Sequence, residues 1–490
     1  MHFHIPYEGY RDKYPTKLLS LYHSIRDSIV DAVLPYRTKL PSSRELAGLY
    51  GVSRGTVNQV YEMLAAEGYV VSEIGRGTFI SYRTKEMKRE DPLEAAYTLS
   101  EWGQRVESHS YPRAAGIPAH SDEGMRRIDF HMFAPDLAWF PQEEWNRCLY
   151  AQARKLSMSE GRAYGSLVQA QGDEALREGI AQYLRRARGI AVDAGQIIVV
   201  SGSMQAIAFA VQLLVNKGEH VIVENPGFLG IQRAVQSVGG TCILADVDEY
   251  GMVPDVWDAR LLFVTPGRQF PTGSVLSMER RQQLLGWAYE KGAIIVEDDY
   301  DSEFRHRGKP LEPLKVLDRH ERVIHIGSFS KTLLPSVRIG YAVVPQALTS
   351  AFVKAKALYE LLPTGLLEQR TLAAFMASGQ YEKHLRRMKR VYGRKFECLQ
   401  QLLGESLSGL FDWVESDAGL HLFGWWKGTE EQYVRYRERC LAAGIRWSDT
   451  EVDDAGGRRR YGVIFHFPHL SEPDMAYGIA RMKEAALTIE

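Results

Sequence analysis

Seven apolar runs between residues 126 and 490 restrict this chain more than any other feature: IIVVS (197–201), HVIVEN (220–225), TCILADV (241–247), RLLFVTP (260–266), AIIVEDD (293–299), RVIHIGS (322–328) and RIGYAVV (338–344). They are continuous rather than alternating, so both faces of each strand need apolar cover. Helical segments such as SMQAIAFAVQLLVNKG (203–218) and SMERRQQLLGWAYEKG (277–292) lie between them. Strands covered on both faces and separated by helices predict an α/β fold with a large, mainly parallel sheet. Past about residue 345 the pattern changes to long charged helices, including GQYEKHLRRMKRVYGRKFECLQQLL (379–403), followed by a few strands. The expectation is a small C-terminal α/β subdomain from about 370, within one domain spanning 126–490.

A chain of 490 residues is also longer than one hydrophobic core usually serves. The stretch 81–125 is polar and broken by Pro, Gly, Ser and His, which reads as a linker, with a short helical patch, DPLEAAYTLSEW (91–102), free to dock. The four cysteines, Cys148, Cys242, Cys398 and Cys440, are scattered without a C-x-x-C pair, as in a reducing compartment. The N-terminus has no leader-like apolar stretch, and the most apolar helical run, AIAFAVQLLV (206–215), is short of the roughly 20 residues a bilayer requires. These features predict a cytoplasmic protein without a membrane span. A net charge of −1 supplies no whole-chain attraction for nucleic acid.

The segment LPSSRELAGLYGVSRGTVNQVYEMLAAEGYV (40–70) nevertheless spells two short helices around a tight turn. Ser42 or Ser43 suits the cap of the first helix, whose apolar face holds Leu46, Ala47 and Tyr50. Gly51 suits the turn, Ser53 caps the second helix, and Val57, Val60, Tyr61 and Leu64 follow helical spacing. Such a pair is a helix-turn-helix, which enters the DNA major groove with the first residues of its second helix. Here those are Arg54, Gly55 and Thr56, with Asn58 and Gln59 one turn on. Arginine suits guanine or phosphate, and Asn or Gln suits adenine. GYVVSEIGRGTFIS (68–81) reads as a two-stranded wing with Gly75 and Gly77 around Arg76 at its tip. The module as a whole is expected over 16–80. It closely resembles the winged helix of the GntR regulators, of which L-P-S-S-R-E-L-A and S-R-x-T-V are signatures. That resemblance implies Arg44, Arg54, Thr56 and Gly77 as contacts to double-stranded promoter DNA.

The chemistry-bearing residues gather at strand ends. GSFSKTLLPSVRIG (327–340) carries Lys331 in a Ser-rich turn, with Arg338 seven residues on. A lysine amine forms a Schiff base with an aldehyde cofactor. The hydroxyls of Ser328 and Ser330 with a guanidinium make a site for a phosphate dianion. AIIVEDDYDSEF (293–304) ends a strand with Asp298 and Tyr300, two apart and thus on one face. A carboxylate can keep a pyridine nitrogen protonated while a phenol bonds the ring oxygen. SGSMQA (201–206), with Ser203 and Met204, opens a helix whose first amides suit phosphate, and ENPGF (224–228) offers Phe228 for stacking on a flat ring. Strand C-termini are where α/β sheets bind their ligands.

Over 126–490 this order resembles the fold-type I aminotransferases. With the winged helix in front, the whole chain resembles the MocR (GabR-like) subfamily of GntR regulators, through TPGRQFPTG (265–273), RRQQLLGWA (280–288), EDDYDSEF and GSFSKTLLPSVRIG. The resemblance implies pyridoxal 5'-phosphate held on Lys331 as an internal aldimine, with Asp298 on the pyridine nitrogen and Tyr300 on the ring oxygen. It places Ser203, Met204, Ser328, Ser330 and Arg338 around the phosphate and Phe228 over the ring. A head-to-tail, domain-swapped homodimer and a small-molecule effector are implied with it.

One position departs from the pattern. Amino-acid-binding relatives carry a carboxylate-binding Arg on a late strand, in a string like I-R-I-G-F-A-S-L, where this chain reads VIFHFPHL (463–470) with Ile464 at the Arg place and Arg460 nearby. An apolar side chain cannot replace charge-assisted bonds worth roughly 1.5–3 kcal/mol each. The expected function is therefore a regulator rather than a working aminotransferase, with pyridoxal phosphate itself as effector, as in the PdxR-type members that control vitamin B6 synthesis. The alternatives are a regulator sensing an amino compound and an active transaminase. His466 and His469 read as core or rim residues, His421 as a residue of the domain interface without metal-ligand spacing, and HLRRMKR (384–390) as a solvated helix face.

Overall fold

The computed structural model describes residues 3–83, 98–109, 126–159, 170–308, 311–453, 457 and 459–487. Contacts divide the chain into two units, Met1–Thr98 and Leu99–Glu490.

In the first unit, helix Lys17–Val30 starts at Thr16, whose side chain accepts from the Leu19 amide. Ser42 and Glu45 form a reciprocal capping box at the start of helix Ser43–Tyr50. Gly51 then turns the chain at a φ of 61°, a conformation costly for other residues. Helix Arg54–Ala66 begins under a cap from Ser53. Strands Val70–Glu73 and Gly77–Ile80 pair antiparallel as the wing. Leu21, Ile25, Leu46, Val57, Val60 and Leu64 are fully enclosed, so the apolar spacing of the two helices builds the core. Residues ahead of Thr16 also fold onto this core: Ile5 and Tyr7 are buried, and the Ile5 amide donates to the Tyr50 hydroxyl at 3.0 Å.

The second unit is built on an eight-stranded sheet. Its order is Ile197–Val200, Gly340–Val343, Val323–Ser328, Ile294–Asp299, Leu261–Val264, His220–Asn225, Thr241–Asp248 and the short edge Gly251–Met252. All seven apolar runs are strands of this sheet. Gly340–Val343 runs antiparallel to both neighbours. The connection that precedes it, carrying Lys331, is too short for the helical crossover a parallel return requires. Helices cover both faces, burying Ile207, Phe209 and Val211 on one side and Leu176, Leu184 and Phe375 on the other.

The small lobe is a four-stranded antiparallel sheet, Phe411–Trp413, His421–Trp426, Arg459–His466 and Ser448–Asp453. It packs on helices Gln380–Leu407 and Glu472–Ala486. Helix Leu366–Ala377 still buries Leu372 and Phe375 in the large-lobe core, so this lobe begins with Gln380–Leu407. The chain before the large sheet contributes as well: Ile128–Asp129 pairs in parallel with Ile445–Arg446. Along 384–390, Arg386, Lys389 and Arg390 are exposed and form the solvated face, while His384 and Met388 are buried on the other.

Of the stretch 81–125, the described part holds helix Glu101–Glu107, which packs beside helix Leu229–Ser237 with Arg105 Nε donating to the Ser237 carbonyl at 2.9 Å. The first residues of the expected helical patch, 91–97, lie outside the described residues. Among the described residues no helix is long and apolar enough to cross a membrane, and all four cysteines are free.

Candidate functional site

On the first unit, Arg44, Arg54, Gly55, Asn58, Arg76 and Gly77 are exposed. Thr56 is half-buried, its hydroxyl 2.8 Å from that of Ser53, so it locks the helix start as well as facing outward. Arg54 Nε donates to Ser43 Oγ at 3.4 Å, which ties the first residue of the second helix to the start of the first. Arg76 pairs with Glu73 across the wing tip. Gly77 (φ 114°) lies so close to the Lys39 side chain that a Cβ would meet it at 2.8 Å.

In the second unit, the adjacent strands Ile294–Asp299 and Val323–Ser328 run parallel with Asp298 opposite Ile326, so the acid and the Lys331 turn emerge at the same sheet edge. Asp298 is half-buried, and its Oδ1 is enclosed without a hydrogen-bond partner. Burial, reinforced by the Asp299 carboxylate, raises its pKa to about 7. The Lys331 amine is pushed the other way, to about 8, again by burial. An acid that resists ionisation and an amine that resists protonation lie within electrostatic reach of one another. Lys331 Nζ donates to the Phe133 carbonyl at 3.1 Å.

Beneath the acid, Asp299 takes a 2.7 Å bond from Arg188. Burial opposes its ionisation, but Arg188 and His325 outweigh burial and keep its pKa low. Glu297 binds His325 Nδ1 at 3.0 Å. This network fixes the strand end from below.

On one side of Lys331 is a small-residue cradle. Gly202 (φ 119°) precedes helix Ser203–Leu214, whose start has no side-chain cap and leaves amides free. A Cβ on Gly202 would come within 3.0 Å of Arg338 Nη2, which itself donates to the Ser201 carbonyl at 2.7 Å. Arg338 adopts a left-handed φ of 50° to reach this place. Ser330 Oγ is buried without a partner, and the Ser328 hydroxyl accepts from the Ser330 amide. Met204 is exposed at the rim. Phe228 is half-exposed and meets Phe270 edge-on at 6.2 Å; Gly230 behind it leaves no room for a Cβ.

Sequence reasoning missed Arg268. It is buried, and its Nη1 donates to Tyr300 Oη at 3.1 Å and to Asp301 at 3.3 Å, while Nη2 donates to the His421 carbonyl at 2.7 Å. Because Tyr300 Oη accepts from this guanidinium, its own proton is free to be donated elsewhere. Arg268 stands in the TPGRQFPTG string, whose wording was legible but whose contacts were not. His421 and His466 are both buried, and burial holds both well below the ordinary imidazole pKa. His469 instead bonds the Asp129 carbonyl at 2.8 Å. Ile464 is buried and lines, with Met204, Phe228, Phe270, Pro271 and Trp447, a cleft of about 1100 Å³.

A partnerless buried carboxyl, a partnerless Ser hydroxyl beside a guanidinium and free helix amides, a phenol with a proton to give and a weakly basic lysine fit a planar heteroaromatic aldehyde bearing a phosphate.

Residues 142–445 match the family described as aminotransferase class I and II, and residues 18–80 match the bacterial regulatory proteins of the gntR family. The probable rhizopine catabolism regulatory protein MocR of Rhizobium meliloti is 34% identical over 484 residues, covering 96% of this chain and 94% of that protein. This chain belongs to the MocR-type GntR transcription regulators. Another relative of the regulator is PdxR of Corynebacterium glutamicum, a pyridoxine biosynthesis transcriptional regulator, 31% identical over 477 residues (96% of this chain, 95% of that protein). Among solved structures, the kynurenine aminotransferase of Pyrococcus horikoshii superposes with a TM-score of 0.67 at 24% identity, covering 81% of this chain and 97% of that one. That likeness shows the fold-type I architecture of the regulator's second unit.

Proposed function

We propose that this regulator holds pyridoxal phosphate covalently on Lys331 and that occupancy of the site sets its affinity for promoter DNA. The cofactor itself is the signal, and control of vitamin B6 synthesis is the task. The observation that carries the reading is the placement of the half-buried Asp298 and Lys331 at one end of adjacent parallel strands, with Asp298 Oδ1 enclosed and without a partner and the charged form of each disfavoured by its surroundings. A buried acid left unsatisfied costs stability and is retained where a ligand satisfies it.

When bound, the cofactor supplies an aldehyde for an amine to attack and a ring nitrogen for an acid to protonate. Lys331, with its pKa near 8, has a substantial neutral fraction at physiological pH and so a lone pair for that bond. Asp298 would hold the ring nitrogen and Tyr300 would donate to the ring oxygen. Ser203, Met204, Ser328, Ser330 and Arg338 would hold the phosphate, and Phe228 would cover the ring. On the first unit, Arg44, Arg54, Gly55, Thr56, Asn58, Arg76 and Gly77 meet double-stranded promoter DNA. A head-to-tail homodimer would present two such heads to paired half-sites. The burial of Ile464 at the expected place of a carboxylate clamp favours the cofactor over an amino acid as effector.

The test adds pyridoxal phosphate to cofactor-free protein, records absorbance, and measures affinity for a duplex carrying the regulator's own promoter with and without it. A new visible band and a change in DNA affinity are expected, both lost in Lys331→Ala. DNA affinity indifferent to pyridoxal phosphate in both proteins would refute the sensing role. Spectral change with an added amine would favour an amine-sensing regulator, and turnover with a keto acid would favour an aminotransferase.

A further inference from the structure

The amine of Lys331 is capped by an aromatic ring. Lys331 Nζ lies 3.5 Å from the centroid of the Phe133 ring, besides donating to the Phe133 carbonyl. The other side of the ring system is closed as well. His466 stacks on Phe133 with centroids 4.5 Å apart and planes 16° apart, and His421 stands 5.3 Å from His466. Tyr300 and His421 each meet Phe133 edge-on at 6.4 Å, and Phe270 meets Tyr300 and His421 in the same manner.

The segment that delivers Phe133 is pinned at both ends. Upstream, the Phe130 amide bonds the Arg446 carbonyl at 2.7 Å and the His466 amide bonds the Phe130 carbonyl at 2.9 Å. Downstream, the Asp136 amide bonds Tyr392 and the Asp136 carboxylate binds the buried Lys395 at 2.7 Å. These bonds fix the backbone that carries the ring, and the His466 stack packs against the ring itself.

Phe133 and Ile464 carry no charge to offer a carboxylate, and burial disfavours the charged form of His466. Ile464 and His466 are two apart on one strand and both buried, so they share a face. The Arg268 guanidinium is held by Asp301, Tyr300 and the His421 carbonyl, and its Nε is enclosed against Gly419 without a hydrogen-bond partner.

We infer that Phe133, backed by His466, is a specificity plug: it covers Lys331 and fills the place beside it that the carboxylate of an α-amino acid would take, so the site admits an aromatic aldehyde phosphate but rejects amino acids. This rests on the cofactor reading above and adds to it the class of molecule that is excluded and the residue that excludes it. No covalent step beyond that reading is required.

Full-length regulator loaded with pyridoxal phosphate is titrated with L-alanine while its visible band is followed. The band of the wild type should be unmoved at millimolar L-alanine. Phe133→Gly should respond, and adding Ile464→Arg to it should lower the L-alanine concentration at half-change by about tenfold or more, as expected for one restored charge-assisted pair. His466→Gly removes the backing while leaving Phe133 in place and should respond more weakly, which keeps the idea testable if Phe133→Gly folds poorly. A loaded wild type whose band shifts at millimolar L-alanine, or shifts equally with and without Phe133, overturns the plug while leaving the cofactor reading intact. A wild type that takes up no cofactor at all refutes the cofactor reading and the plug together.

Discussion

Replacing Asp298 by asparagine should stabilise the cofactor-free protein while weakening its hold on pyridoxal phosphate, and pH separates the two effects. Burial, with help from Asp299, raises this carboxyl from 3.8 to about 7 in the folded chain. The unfolded chain releases the proton near pH 4, whereas the folded chain keeps it until near neutrality. The stability contributed by this group is therefore fully present below the unfolded value and lost as pH rises through the folded one. A shift of about three pKa units corresponds to about 4 kcal/mol of penalty at pH 8, at about 1.4 kcal/mol per unit. Asparagine removes that penalty but places an amide where Oδ1 already lacks a partner, at a cost of about 1–3 kcal/mol. The net gain at pH 8 is then about 1–3 kcal/mol, or a few degrees in melting midpoint. At pH 5 most of the carboxyl penalty has gone, so the advantage of Asp298→Asn should shrink by about 2–3 kcal/mol between pH 8 and pH 5. Denaturation of cofactor-free wild type and variant at the two pH values measures this. A stability difference that does not change with pH would show that Asp298 is not held protonated by its surroundings. Adding pyridoxal phosphate at pH 8 should raise the midpoint of the wild type more than that of the variant.

Other consequences can be checked separately. Arg338→Gln keeps a donor but removes the charge from the cradle, and pyridoxal phosphate affinity, read from the absorbance titration, should fall by about 1.5–3 kcal/mol. Arg54→Ala leaves the buried face of its helix intact, so the melting midpoint should hold while operator binding at fixed salt weakens by about 1–3 kcal/mol. Leu46→Ala empties a fully enclosed position and should cost the first unit about 2–5 kcal/mol, lowering its melt and its DNA binding while leaving the cofactor band unchanged.

The parts legible in the sequence were those governed by local rules. Ser42, Gly51 and Ser53 announce helix ends because capping and left-handed turns depend on neighbours within a few residues. The seven apolar runs announce strands because a strand covered on both faces has no polar positions to spare. Lys331 and Asp298 were readable as candidates because each stands at or just past the C-terminal end of a strand, and Arg338 because it opens the apolar run just ahead of strand Gly340–Val343. The antiparallel Gly340–Val343 strand could be inferred only weakly, from the short connection before it.

Contacts across the two lobes were not written in any local pattern. Phe133 and Lys331 are 198 residues apart, and Arg268 and His421 are 153 apart. Nothing in FHMFAP (130–135) says that a ring there will lie on a distant lysine. Apolar spacing reports that a side chain is buried but not against what. Sequence alone determined the two modules, the candidate strands and the residue types able to do the chemistry, since those follow from periodicity, caps and side-chain reactivity. Tertiary structure decided which acid oxygen goes unpartnered, which groups hold the Arg268 guanidinium and which ring covers the amine, because those depend on how two lobes close on one another.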